Sequence, residues 1–179
     1  MTISGNTRLA GIMGWPVKHS RSPRLHHFWL DQYGIDGAYI PFPVDPADFE
    51  SALRSLPKLG ISGVNVTAPH KEAAFDIVDD IDELARRIGA VNTITVTGEG
   101  KLAATNTDAF GFVEALRARA PDWDPISGPA VVLGAGGASR AVLVALQDLG
   151  VPEIRIVNRT PERSQALADE FGAPLVSLP

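Results

Sequence analysis

The sequence predicts an α/β protein in two parts: an N-terminal α/β domain, then half of a doubly wound parallel-sheet fold. Two observations carry this. From Leu9 onward, short strand-forming runs alternate with stretches whose apolar residues recur at helical spacing. From Ala130 the alternation becomes a clean β-α-β-α-β run, with a glycine-rich turn between its first strand and first helix.

The 179 residues allow one large domain or two small ones, and 45% hydrophobic with 21% charged residues is an ordinary globular composition. A formal charge of −5 and a pI near 5.3 argue against a nucleic-acid or anionic-membrane binder. With no cysteine, disulfides, thiolate catalysis and cysteine metal sites are excluded. Residues 1–6 lack the basic and apolar regions of a signal peptide, and no apolar run suits a bilayer span. The expectation is a cytoplasmic protein acting on a small molecule, without a metal.

Taken in order, Leu9–Met13 is a strand closed by Gly14-Trp15-Pro16. A polar loop follows, with Ser22 as the expected N-cap of a helix that has Pro23 at its first position and Leu25, Phe28 and Trp29 on its buried face. Ser20 has no such capping duty, and two hydroxyls at a helix start suit an oxygen-rich ligand. Ala38–Val44 is a second strand, and Pro41 and Pro43 assign it to an edge. Asp45 caps a helix opened by Pro46, with Phe49, Leu53 and Leu56 inward.

The stretch from Gly63 to Lys71 is a strand, Val64–Val66, running into a turn and a helix. Pro69 is expected in the helix's first turn. This corner carries Thr67, His70 and Lys71 where open α/β sheets bind ligands, although an idle surface lysine fits the same pattern. The helix continues through Ile81, Leu84, Ala85 and Ile88 to Gly89, placed to end it in left-handed geometry. A hairpin spans Thr93–Thr97 and Lys101–Ala104 around Gly98-Glu99-Gly100. Asp108 then opens a helix bearing Phe112, Val113 and Leu116, and an N-cap role would explain it by itself. The four histidines (His19, His26, His27 and His70) are expected on loop or helix surfaces.

The second part reads as strand Ala130–Leu133, helix Ser139–Leu149, strand Ile154–Val157, helix Pro161–Phe171 and a short strand Leu175–Val176. Gly134, Ala135, Gly136, Gly137 and Ala138 match the first two glycines of G-x-G-x-x-G, with Ser139 at the third. In this context Gly134 allows the tight turn, Gly136 admits a pyrophosphate, and the helix N-terminus favours its charge. At the next strand end an NAD-binding protein usually has an acid for the ribose 2′-hydroxyl. This chain has Asn158, Arg159 and Thr160, with Arg163 one helical turn on, a pattern that suits the 2′-phosphate of NADP.

Six motifs in one order carry a family resemblance: His19-Ser20-Arg21-Ser22-Pro23, Asn65-Val66-Thr67-Ala68-Pro69-His70-Lys71, Gly89-Ala90-Val91-Asn92-Thr93, Asn106-Thr107-Asp108, Gly134–Ala138 and Asn158-Arg159-Thr160. Together they resemble shikimate dehydrogenase over essentially the whole chain. The resemblance implies reversible NADP-dependent reduction of 3-dehydroshikimate, with residues 1–107 as substrate-binding and catalytic domain and 108–179 as a partial Rossmann-type NADP domain. It implies that Ser20, Ser22, Thr67, Lys71, Asn92 and Asp108 bind substrate. Lys71 is the implied acid–base residue with Asp108 as partner, and Glu83 an acidic position near the nicotinamide. His27 stands where the family more often has asparagine.

Family members also run on beyond this length, through the rest of the nucleotide-binding sheet and helices returning to the first domain, one bearing a substrate-contacting glutamine. The chain is therefore expected to be a truncated form with an incomplete cofactor site and an unpaired sheet edge. Three alternatives stay open: a quinate or quinate/shikimate dehydrogenase, disfavoured by Arg159; a non-catalytic shikimate-binding domain; and a methylene-tetrahydrofolate dehydrogenase-like protein, which leaves Ser20 and Ser22 unexplained.

Overall fold

The computed structural model describes residues 3–178. By its internal contacts the chain divides into two units, one running through Arg86 and resuming over Ala90–Thr105, the other comprising Arg87–Gly89 and the chain from Asn106 onward. Among the described residues no helix is long and apolar enough to cross a membrane.

The first unit is built on a six-stranded sheet of β1 (Arg8–Gly14), β2 (Gly37–Pro43), β3 (Ile61–Val66), β4 (Asp80–Ile81), β5 (Thr93–Val96) and β6 (Leu102–Thr105), in the order β2-β1-β3-β5-β6-β4. β1 is parallel to β2 and β3, and the β5–β6 hairpin joins β3 antiparallel. β2 lies at the edge, the position its two prolines require, because an edge strand needs fewer backbone donors. Asp45 does cap, its carboxylate accepting from the Ala47 N–H at 3.0 Å, but on a single 3-10 turn (Pro46–Asp48) that leads into α2 (Phe49–Ser55). Phe49, Leu53 and Leu56 then bury against Met13, Val64 and Val66, the core of this unit.

Several expected elements differ. The predicted face of α1 (Ser22–Gln32) is wrong: Leu25, Phe28 and Trp29 are 47%, 62% and 42% exposed. His26 and Leu30, one turn apart, are half-buried instead, and Leu30 packs on Ile12, Val17 and Tyr39. The long helix from Lys71 is broken into α3 (Lys71–Ile77) and α4 (Glu83–Ile88), with β4 between them. The break is made by distant partners: Asp79 Oδ2 accepts the Leu102 N–H at 2.8 Å, β4 pairs with β6, and Asp82 caps the new helix through the Ala85 N–H. Pro69 precedes α3 rather than sitting in its first turn. Gly89 does adopt the left-handed geometry, with φ +68°.

The second unit carries α5 (Asp108–Arg119), then β7 (Ala130–Leu133), α6 (Gly137–Asp148), β8 (Ile154–Val157), α7 (Pro161–Phe171) and β9 (Leu175–Leu178). β7, β8 and β9 form a parallel sheet in that order. Leu143 and Leu146 of α6 and Leu167 of α7 cover Ile154 and Ile156 to form its core. α6 begins two residues before the expected Ser139, and β9 extends two beyond Val176. Val131 and Leu133, alternate residues of the edge strand β7, are 58% and 79% exposed.

Candidate active site

In the first unit the ends of β1 and β3 bring Thr67, Lys71 and Asn92 to one end of the sheet. The Thr67 N–H donates to the Met13 carbonyl at 2.9 Å and the Trp15 N–H to the Ala68 carbonyl at 3.1 Å, which joins the two strand ends. The Thr67 methyl fills the space that a side chain on Gly14 would need, so Gly14 sets where Thr67 can stand. Lys71 opens α3, and its carbonyl accepts from the Val91 N–H at 3.0 Å. The next residue, Asn92, is buried, its carbonyl accepting from Val66 at 2.8 Å and its N–H donating to Thr105 at 3.0 Å. Backbone bonds thus link Thr67, Lys71 and Asn92 to the same strand ends.

The serines depart from expectation. α1 starts at Ser22, with Arg21 at the cap position, so Ser22 is not the N-cap. Ser20 does have a capping-like duty: its Oγ accepts the Ser22 N–H at 3.2 Å. The Ser22 hydroxyl is released from the helix backbone and bonds the Tyr39 hydroxyl. Tyr39 in turn donates to Asn65 Oδ1 at 2.6 Å. Burial pushes the Tyr39 phenol up to about 12, against the smaller opposing effect of the Ser22 bond, so it is a neutral donor near neutral pH.

Of the histidines read as surface residues, His70 is buried and His26 and His27 are half-buried. His70 is 2% exposed, stacked on Phe49 with centroids 4.1 Å apart, and its Nε2–H donates to the Val44 carbonyl at 2.8 Å. His26 stacks on Tyr39 at 3.9 Å, and His27 Nε2 accepts the Tyr39 N–H at 3.2 Å. Tyr39 was missed from sequence; its only signal is an aromatic placed opposite small Ala10 in the neighbouring strand.

In the second unit, Gly134 has φ +110° and its N–H donates to the Val157 carbonyl at 2.8 Å, fixing the turn to the end of β8. Ala135 is buried, Gly136 is the cap residue of α6, and Gly137 and Ala138 form its first turn. Nothing lies within 4 Å of where a Gly136 side chain would stand, so the backbone at this helix N-terminus is open to a phosphate. Beyond β8, Asn158 Nδ2 donates to the Thr160 carbonyl at 2.8 Å and shapes the loop into α7. Arg159 and Arg163 are exposed on that loop and the first turn of the helix. Asp108 also departs from its capping role: it is the first residue of α5, and Asn106 Oδ1 accepts its N–H at 2.9 Å. Glu83 is exposed at the start of α4.

Residues 12–94 match the shikimate dehydrogenase substrate binding domain, and residues 125–178 match shikimate / quinate 5-dehydrogenase. A shikimate dehydrogenase (NADP(+)) of Paramagnetospirillum magneticum is 60% identical over 97% of this chain and 63% of its own length. The crystal structure of shikimate dehydrogenase from Aquifex aeolicus superposes with a TM-score of 0.91 at 36% identity, over 99% of this chain and 65% of that one. Shikimate 5-dehydrogenase from Thermus thermophilus, in complex with NADP(H) and shikimate, superposes with a TM-score of 0.84 at 44% identity, over 97% and 63%. The chain thus spans less than two thirds of the length of these relatives. With both matched segments in sequence order and the same α/β fold throughout, the chain belongs to the shikimate dehydrogenase family.

Proposed function

We propose that the chain serves the reversible NADP-dependent reduction of 3-dehydroshikimate to shikimate, as a cytoplasmic enzyme. The observation that carries this reading is the backbone linkage of Thr67, Lys71 and Asn92 at the ends of β1 and β3, with Ser22 joined to Asn65 of β3 through the Tyr39 hydroxyl. Hydroxyl, amide and ammonium groups there suit a small polyhydroxylated acid, where each ligand oxygen needs its own donor or acceptor. Ser20 and Asp108 complete the proposed substrate set. Lys71 is the proposed proton donor to the ketone oxygen, because an ammonium both donates and stabilises the negative charge that develops there. Asp108 is its proposed acid–base partner.

The residues present fit the nicotinamide cofactor. The open backbone at Gly136, the φ of Gly134 and the N-terminus of α6 suit a pyrophosphate, with Ala135, Gly137 and Ala138 in the same turn. Asn158, Arg159, Thr160 and Arg163 would hold the adenosine end, the guanidinium groups taking the 2′-phosphate. Glu83 is proposed near the nicotinamide. When bound, NADPH supplies the two electrons of the reduction.

Adding shikimate and NADP+ to the protein and following the absorbance of NADPH tests the reading. A shikimate-dependent rise is expected. Shikimate binding with no absorbance change would favour a non-catalytic shikimate-binding role, and a rise with quinate but not shikimate would overturn the substrate assignment.

A further inference from the structure

A continuous chain of hydrogen bonds crosses the first unit's sheet from β2 to β5. The Ser22 hydroxyl donates to the Tyr39 oxygen, and the Tyr39 O–H donates to Asn65 Oδ1 at 2.6 Å. Asn65 Nδ2 donates to Thr93 Oγ1 at 3.0 Å and to the Asn92 carbonyl at 3.3 Å. Thr93 Oγ1 then donates to Asn92 Oδ1 at 2.9 Å. The ends of this chain are Ser22 and Asn92, two residues of the proposed substrate set.

The path follows from the register. Tyr39 lies opposite Ala10 and Asn65 opposite Ile12, on the two strands flanking β1. A long side chain passing over a small one bridges that gap, and Ala10 packs against the cluster of Ile12, Val17 and Tyr39. The ring is held independently of its hydroxyl, by the His26 stack and by the bond from its backbone N–H to His27. Reversing the Asn65 amide would set its NH2 against the Tyr39 proton and its oxygen against the Asn92 carbonyl, so the donated bonds select one orientation. Among the described residues no buried side-chain nitrogen or oxygen lacks a partner, so the network is fully satisfied and resists rearrangement.

We propose that Tyr39 is a positioning residue for substrate recognition: through Asn65 and Thr93 it fixes the side chains of Ser22 and Asn92 before ligand arrives. This rests on the substrate reading above. Tyr39 touches no reacting atom in that reading. Its contribution is preorganisation, which strengthens binding by removing the cost of ordering the contacting groups.

Tyr39→Phe tests it, since the ring, its stack and its burial survive while the hydroxyl is lost. Without ligand, the side-chain amide resonances of Asn65 and Asn92 should both move in 15N-edited spectra. The dissociation constant for shikimate should rise about tenfold, the size expected for one lost buried hydrogen bond, while that for NADPH stays unchanged. In a Ser22→Ala background the same substitution should cost much less, because one end of the chain is already gone. An Asn92 amide that does not move, or a shikimate affinity within about twofold of the parent, overturns the proposal. The resonances judge the relay with no ligand present, so a responsive relay in a chain indifferent to shikimate would condemn the substrate reading alone.

Discussion

Arg140 Nε donates to the Ile88 carbonyl across 2.7 Å, and its guanidinium fills the space that a side chain on Gly89 would need. The same guanidinium forks onto the Glu170 carboxylate, one arm at 2.9 Å, and lies over the Phe171 ring at 5.1 Å. One side chain of α6 therefore ties together the end of α4 and the last turn of α7. Gly89 serves twice, accepting a φ of +68° and leaving room for the arginine.

Arg140→Met should destabilise the second unit by about 2 kcal/mol, chiefly by leaving the Ile88 carbonyl without its donor. Glu170 is 51% exposed, so water recovers part of the lost ion pair. Arg140→Lys keeps the charge without the fork and should recover only part of the loss. Gly89→Ala should cost about 1 kcal/mol or more from its φ alone. Urea unfolding midpoints measure all three.

His70→Ala should lower stability by about 3 kcal/mol, since it removes the ring stacked on Phe49 and opens a cavity in the core. His70→Phe retains the stack and gives up the bond to Val44, so about 1 kcal/mol is expected. Thermal melts of the two variants check the order; equal losses would place the stability in the hydrogen bond rather than the stack.

Much of this was legible in the chain. The bounds of β7, β8 and α7 follow from β-branched runs and a proline start, and Gly89, Gly134 and Asp45 announce turns and a cap by their chemistry. Thr67, Lys71 and Asn92 were singled out by their place in the motifs, and backbone bonds link all three to the ends of β1, β3 and β6. What escaped depends on partners distant in sequence. The break between α3 and α4 needs Leu102 and β6 to take up Asp79 and Asp80, which no local pattern contains. Periodicity marks Leu25, Phe28 and Trp29 as apolar but does not say what covers them, and α1 turns His26 and Leu30 inward. His70 looked like a surface residue because its partners, Phe49 at the start of α2 and Val44 after β2, are distant in sequence.

The buried Tyr39 phenol makes stability depend on alkaline pH. Its native value is raised to about 12, above the unfolded 10.0, so the unfolded chain loses this proton first. The contribution is fully present below the unfolded value and is lost as pH rises from about 10 towards about 12. Unfolding free energy should fall over that window, and Tyr39→Phe should fall less steeply. Urea titrations at a series of alkaline pH values, read by circular dichroism, compare the slopes.

Lys71→Ala should lower turnover by orders of magnitude while shikimate affinity changes little, the signature of a group whose main contribution comes in the transition state. The Lys71 backbone carbonyl accepts from the Val91 N–H, a bond that the substitution retains. Steady-state kinetics beside a shikimate titration separates the two effects. A variant with near-normal turnover would remove Lys71 from the chemistry.

Arg159→Ala addresses cofactor choice. Arg159 and Arg163 stand exposed beyond β8, and among the described residues neither forms an ion pair with an acidic side chain. An arginine held by a carboxylate would already have its charge matched; in the proposed reading these two offer their donors to an incoming anion. The 2′-phosphate is the one group that NADPH has and NADH lacks, so charge-assisted bonds from Arg159 act on one cofactor alone. The Michaelis constant for NADPH should rise at least about tenfold, with that for NADH nearly unchanged, since a hydrogen bond to a charged group is worth about 1.5–3 kcal/mol. Arg159→Lys should recover part of the affinity, because it restores the charge and not the planar fork. Added salt should weaken NADPH binding in the parent more than in Arg159→Ala, as screening removes an interaction that only the parent has. Equal losses for the two cofactors would mean that Arg159 shapes the loop held by Asn158 and Thr160 instead of reading the phosphate.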